Sequence, residues 1–434
     1  MKFYSTNNHQ VLYNLKDAVL KGLPPDNGLF MPTNIPLLGE KFWSHFDTLS
    51  FSDLSYEVAH RLLGESIPAE ALREIVERAI DFDAPLIKIN GHAYILELFH
   101  GPTLAFKDFG ARFMAQLMSY LIRDDHHGLH ILVATSGDTG GAVANGFYCT
   151  PGIHVTILYP RGKVSYLQEK QLTTLGENIT ALEIEGTFDD CQAMVKQAFL
   201  DEELNQRLRL TSANSINIAR LIPQSFYYFR AFQQLPHEER HAVFVVPSGN
   251  FGNLTAGLIG QRMGLPIAQF IAATNVNDIV PQYLHTGSYE PKPSVRTISN
   301  AMDVGNPSNF TRMMDLYAHD HEAVSRDIEG YAFGDVETRK AIREVYQKYG
   351  YVIDPHGAVG YLAWKAYCLE MGEMPGVILG TAHPAKFIDV VEEEIEQKVV
   401  LPGQLASLKD KPKDSIPLPA SFDSLKEYLI NTQI

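Results

Sequence analysis

Lys107 is the residue whose setting most directly implies chemistry. It lies between Phe106 and Phe109, is followed by Asp108, and sits on a segment introduced by Gly101 and Pro102. Aromatic neighbours partly desolvate the amine, which disfavours its charged form and makes it a better nucleophile. A lysine that forms a Schiff base needs that environment. The residues alone leave open a plainer reading, a surface lysine at the start of a helix over 111–122. A second landmark is the loop Gly249, Asn250, Phe251, Gly252, Asn253. The β-branched apolar run 242–246 predicts a buried strand before it, and a helix is expected from Leu254. Glycine and asparagine tolerate positive φ. Successive N–H groups of such a loop, at the positive end of a helix, can cradle a phosphate. An ordinary tight turn is the alternative. No Gly-x-x-x-x-Gly-Lys-Ser/Thr pattern occurs, so a nucleotide P-loop is excluded.

Elements of alternating type must position these groups. Strands are expected at 94–99, 131–134, 154–159, 179–184, 242–246, 271–274 and 376–379, with helical patterns between them, among them 189–200 and 226–234. This alternation predicts an α/β chain with largely parallel sheets, in which ligands sit beyond the carboxyl ends of strands. Three polar segments begin where an expected strand ends: Thr135-Ser136-Gly137-Asp138-Thr139, the loop after Pro247, and Thr381. Asp138 reads as a helix cap. Asn214, Ser215, Asn217 and Arg220 form a polar cluster in apolar surroundings, and the planar fork of arginine matches phosphate oxygens. Lys386 is a possible second cation. His100, His356 and His383 are isolated and read as structural. A nucleophilic lysine together with a phosphate cradle points to pyridoxal 5'-phosphate.

Five ordered motifs carry a family resemblance: 99–108, 135–142, 214–217 with Arg220, 249–253, and 381–387. With them the chain resembles the threonine synthases, fold-type II pyridoxal-phosphate enzymes of the tryptophan synthase β-like group, in their longer form. The resemblance implies two open, mostly parallel α/β domains and a smaller, mainly helical N-terminal region. The divisions expected are 1–90, 91–225 and 226–434. It implies Lys107 as the cofactor lysine, and residues 249–253 as the anchor of the cofactor phosphate. Thr381 would face the pyridine nitrogen. Ser136, Thr139, Asn214, Ser215, Asn217, Arg220 and Lys386 would contact substrate, with Arg220 on its phosphate. The implied substrate is O-phospho-L-homoserine and the implied product is threonine. A phospholyase or threonine dehydratase giving 2-oxobutyrate, and a non-catalytic cofactor-binding regulator, are the alternatives.

Composition narrows the remaining classes. A chain of 434 residues is too long for one core. Its net charge of −15 disfavours nucleic acid and anionic membranes as partners. Three scattered cysteines, without Cys-x-x-Cys spacing or clustered histidines, argue against disulfides and structural metal. No run approaches the ~20 apolar residues of a membrane span, and the start of the chain lacks a signal-peptide stretch. The expectation is a cytoplasmic monomer or homodimer without S-adenosylmethionine control. The 291–310 stretch reads as a long loop and a candidate flap, and 402–419 as a tail wrapping the surface.

Overall fold

The computed structural model describes residues 1–125 and 128–431. Two parallel-dominated sheets organise it. The larger has six strands in the order Ile328–Ala332, Phe270–Thr274, Val243–Pro247, Gly376–Gly380, Ala93–Glu97, Leu86–Lys88. All its pairings are parallel except that of the edge strand Leu86–Lys88. The smaller is wholly parallel: Ile416–Pro419, Ile179–Glu185, Ile153–Pro160, Leu129–Ala134, Leu210–Ser212. The strands Leu129–Ala134, Val243–Pro247, Phe270–Thr274 and Gly376–Gly380 are buried along their whole length. Parallel sheets covered on both faces have that pattern, and it explains why continuous apolar runs marked the strands.

The divisions expected at 90 and 225 do not follow the sheets. Ala93–Glu97 pairs with Gly376–Gly380, so the segment just before Lys107 belongs to the larger sheet. The chain then builds the smaller sheet, returns to the larger one at Val243, and ends by adding Ile416–Pro419 to the smaller sheet. The tail expected to wrap the surface is therefore structural. Pro417 and Pro419 are accommodated because an edge strand tolerates a missing N–H on its free side. Lys413 pins this segment to Glu169 and Glu183. The helix Phe422–Asn431 then buries Leu425 and Leu429 in a cluster with Met194 and Val195.

The N-terminal region contains the helices Phe51–Leu63 and Ala69–Ala79, and also a three-stranded antiparallel sheet of Asn8–Tyr13, Phe3–Ser5 and Phe30–Pro32. It joins the main core. Phe109, on the helix carrying Lys107, is fully buried against Phe51, Phe82 and Tyr227. Truncating such a phenylalanine costs roughly 3–5 kcal/mol. The candidate flap is partly ordered structure. Helix Ile279–Thr286 precedes it. Beyond it, Val295 N–H donates to Asn277 Oδ1 at 2.7 Å and Thr297 N–H to Asp303 at 3.0 Å.

Candidate active site

Lys107 is the first residue of the helix Lys107–Ile122. The turn before it is tied to the end of Gly376–Gly380: Phe106 N–H donates to the Thr381 carbonyl at 2.9 Å, and Ala105 bridges Ala382. Lys107 and the buried Thr381 are thereby brought together from distant parts of the chain. Burial pushes the Lys107 amine down to about 8, against the Asp138 carboxylate 3.9 Å away; Lys386 and Arg220 add to the push.

Asp138 is not a helix cap. The N-cap of Asp138–Phe147 is Gly137, at φ +145°, which has no side chain with which to cap it. The hydroxyl of Thr135 already accepts from the N–H groups of Gly137 and Gly140. Asp138 instead meets cations. Its Oδ1 lies 2.6 Å from Lys386 Nζ and accepts from Gln168 Nε2 at 2.8 Å. Burial by itself raises this carboxyl, but Lys386 and Lys107 hold it well below the usual carboxylate range.

Lys386 is consequently not the free second cation that was expected. Its side chain is fully buried, and Nζ also donates to the Thr103 carbonyl at 2.9 Å. Gln171 Nε2 donates to the same carbonyl at 3.1 Å. Thr103 donates its N–H and hydroxyl to Asp108, which burial pushes up to about 6. Sequence reading missed Thr103, Asp108, Gln168 and Gln171 as part of this network. Asp108 and Thr103 stood inside a recognised motif; the two glutamines carried no local signal.

Arg220 lies in the short helix Ile218–Leu221 and is buried. Nη1 donates to the Ala213 carbonyl at 2.7 Å, and the buried Nε has no hydrogen-bond partner among the described residues. Gly110 admits it: a Cβ there would sit 3.0 Å from the Arg220 carbonyl and 3.2 Å from Nε. Asn214 and Ser215 are half-buried, as is Thr139, and Ser136 is exposed. Asn217 differs from its expected role. Its side-chain oxygen accepts from Ala219 N–H, and its amide donates to the carbonyls of Val19 and Ser212. It fastens the loop to the N-terminal region and presents no free polar atom to a ligand.

The 249–253 loop joins Val243–Pro247 to the helix Gly252–Arg262, which no side chain caps. Its first-turn N–H groups are therefore free donors at the positive end of the dipole. The left-handed residue is Phe251, at φ +58°, rather than either glycine. Gly249 is required by space: a Cβ would fall 2.5 Å from the Ala301 carbonyl oxygen and 3.0 Å from Met302 Cα. Gly252 approaches Ser215, whose Cβ would be 3.8 Å from its own, so this loop adjoins the 214–217 loop. Asn250 Oδ1 accepts from Ser308 N–H and hydroxyl. Asn253 Oδ1 accepts from the hydroxyls of Tyr227 and Tyr228, while its buried Nδ2 has no partner among the described residues. Uncapped donors, an unpartnered amide and a loop without room for Cβ fit a bound phosphate. A half-buried amine of lowered proton affinity fits a carbonyl-bearing cofactor.

The three histidines hold structure. His100 contacts Glu97 at 2.7 Å. His383 Nδ1 accepts from Ala385 N–H. His356 is buried; its Nδ1 lies 2.6 Å from Asp354, and its Nε2 accepts from Ala301 N–H at 3.2 Å. His356 thus backs the segment that presses on Gly249. No group of metal-ligating residues occurs among the described residues, and no described helix is long and apolar enough to cross a membrane.

Two parallel-dominated sheets, with a lysine at the start of one helix and an uncapped helix N-terminus beyond a strand of the larger sheet, define a fold-type II pyridoxal-phosphate-dependent enzyme. A family model described as pyridoxal-phosphate dependent enzyme matches residues 81–379, and models of the threonine synthase N terminus and C-terminal part match 2–80 and 357–429. The chain is 47% identical to threonine synthase of Escherichia coli over 434 residues, covering 100% of both. It is 45% identical to that of Serratia marcescens, covering 99% of both. The crystal structure of the Escherichia coli enzyme matches with a TM-score of 0.92 over 100% of both chains. A pyridoxal-phosphate-bound threonine synthase from Brucella melitensis, 36% identical, matches with a TM-score of 0.92 over 99% of this chain and 98% of that one. The chain belongs to the threonine synthase family.

Proposed function

We propose that this site converts O-phospho-L-homoserine and water to L-threonine and phosphate. One observation carries the reading: in a chain of net charge −15, three cations, the half-buried Lys107 and the buried Arg220 and Lys386, converge on one site against the single carboxylate of Asp138 that faces Lys107. An anionic substrate entering an acidic protein needs such local positive charge. Lys107 would hold pyridoxal phosphate covalently, the N–H groups of 249–253 would hold its phosphate, and Thr381 would give its ring nitrogen a neutral hydroxyl partner. When bound, the cofactor supplies an electron sink for charge at the substrate's α-carbon.

The chain's own groups then divide the remaining work. An amine whose pKa lies near the working pH both takes and returns protons: Lys107 takes the α-proton, the β-proton must also leave for the phosphate to depart, and the γ-carbon takes up a proton before water adds and the α-carbon is reprotonated. Arg220, with Nε unpartnered, receives the substrate phosphate and stabilises its charge as it leaves the γ-carbon. Asn214 and Ser215, on the loop that leads into Arg220, would contact the same substrate phosphate. Ser136 and Thr139, at the start of Asp138–Phe147, bind the substrate carboxylate. Water adds at the β-carbon. Asn217 acts only by fixing the loop that carries Arg220. The enzyme is taken to work in the cytoplasm as a monomer or homodimer, which light scattering of the purified protein checks.

The deciding experiment incubates the holoenzyme with O-phospho-L-homoserine and quantifies phosphate, threonine and 2-oxobutyrate together. Equal phosphate and threonine support the proposal. Phosphate with 2-oxobutyrate makes the protein a phospholyase. Absence of phosphate refutes the assigned substrate and leaves a non-catalytic cofactor-binding role.

A further inference from the structure

The charges around Lys107 are arranged in a row. Lys107 Nζ faces Asp138 Oδ2 at 3.9 Å, and Asp138 Oδ1 is held by Lys386 at 2.6 Å and by Gln168 at 2.8 Å. Lys386 is fixed in turn by the Thr103 carbonyl, which Gln171 also contacts. Asp138 and Lys386 expose 6% and none of their side chains. The contributors come from four separate elements: the start of Lys107–Ile122, the start of Asp138–Phe147, the helix Tyr166–Thr173, and the turn Pro384–Phe387. A buried ion pair seldom stabilises a fold better than apolar residues of the same volume. Neither a cap nor a surface bridge accounts for this one. What the pair does fix is one carboxylate oxygen toward Lys107.

Resting on the assignment of Lys107 as the cofactor lysine, we propose that Asp138 is a positioning residue for the Lys107 nitrogen: it orients that nitrogen and favours its protonated form, and Lys386 sets how strongly it does so. The charged groups facing Lys107 are Asp138, Lys386 and Arg220, from three different elements, with the Phe106 ring 5.5 Å from Nζ. Asp138 is the lone anion among them. With Lys386 engaged, part of its field is neutralised, which leaves the nitrogen able to release a proton as well as hold one.

The test separates charge from folding by using three full-length holoenzymes: Asp138→Asn, Lys386→Met, and the two combined. The readout is the pH midpoint of the cofactor's visible absorbance band, which reports protonation at the lysine-linked nitrogen and needs no turnover. Removing Asp138 alone leaves the nitrogen with two cations, so the midpoint falls by roughly one to three pH units. Removing Lys386 alone releases the full field of Asp138, and the midpoint rises. The double variant falls between the wild type and Asp138→Asn, because the nearer charge dominates. That order, Lys386→Met highest and Asp138→Asn lowest, is the expected result. An unmoved or raised midpoint in Asp138→Asn overturns the proposal. Should Asp138→Asn not fold, Lys386→Met decides: a raised midpoint supports the proposal and an unmoved or lowered one overturns it. A full-length chain that binds pyridoxal phosphate with the expected order, yet forms no threonine, would refute the substrate assignment and leave this inference standing.

Discussion

Replacing Gly249 with alanine tests the cradle directly. The substitution adds one methyl group, and two of its nearest neighbours are backbone atoms: the Ala301 carbonyl oxygen at 2.5 Å and Met302 Cα at 3.0 Å. Backbone cannot rotate away as a side-chain tip can. The 300–302 turn is further held by His356, which accepts the Ala301 N–H, and by the Met302 N–H bond to the Ser299 carbonyl. Either that turn or the cradle must shift. Overpacking of this kind costs about 1–3 kcal/mol. If the cradle yields, the cost appears in cofactor binding as a roughly five- to 150-fold rise in Kd. If the turn yields, it appears in the unfolding free energy instead. Equilibrium dialysis with pyridoxal phosphate and urea denaturation of the cofactor-free chain, run on the same preparation, distinguish the two. Gly39→Ala is the control, since a Cβ there meets nothing within 4 Å. A Gly249→Ala protein whose cofactor affinity and stability both match the wild type would refute the claim that space, rather than backbone conformation, demands this glycine.

Other perturbations follow from the same geometry. Lys107→Ala is expected to abolish the visible cofactor band and turnover while the circular dichroism spectrum stays native; surviving turnover would remove Lys107 from the chemistry. In the cofactor-free chain, acylation of Lys107 followed by mass spectrometry should titrate with a midpoint near pH 8, since burial pushes the amine down to about 8. Arg220→Lys keeps the charge but loses the fork, and should lower kcat/KM for the phosphorylated substrate by roughly 2–5 kcal/mol, a thirty- to several-thousand-fold loss. Unchanged steady-state kinetics would place Arg220 outside the substrate site. His356→Gln disturbs the bonds to Asp354 and Ala301; stability should fall by about 1–3 kcal/mol and cofactor Kd should rise, with kcat at saturating cofactor largely retained. A large kcat loss at full cofactor occupancy would contradict its supporting role.

Much of this protein is legible in the order of its residues. Continuous β-branched runs located the inner strands, because strands buried on both faces have no polar side to interrupt the pattern. The ends of expected strands marked the 249–253 loop and Thr381 as candidates, because in parallel sheets the ends of strands are where loops converge, and separate local motifs marked Lys107 and Arg220. What the sequence left undetermined depended on partners distant along the chain. Asp138 read as a cap, since capping is a local interaction. Only the fold brings Lys386, 248 positions later by residue number, within 2.6 Å of it. Gly249 read as a residue chosen for positive φ, whereas the backbone of Ala301 and Met302 is what excludes a side chain there. Asn217 read as a ligand group until the N-terminal region supplied the Val19 carbonyl that occupies it. The strand Ile416–Pro419 was hidden by its prolines, which only an edge position accommodates. Composition and periodicity thus determined the elements and the residues at their ends. The tertiary structure decided which buried charges face one another, since burial and distance, rather than residue type, govern electrostatic coupling.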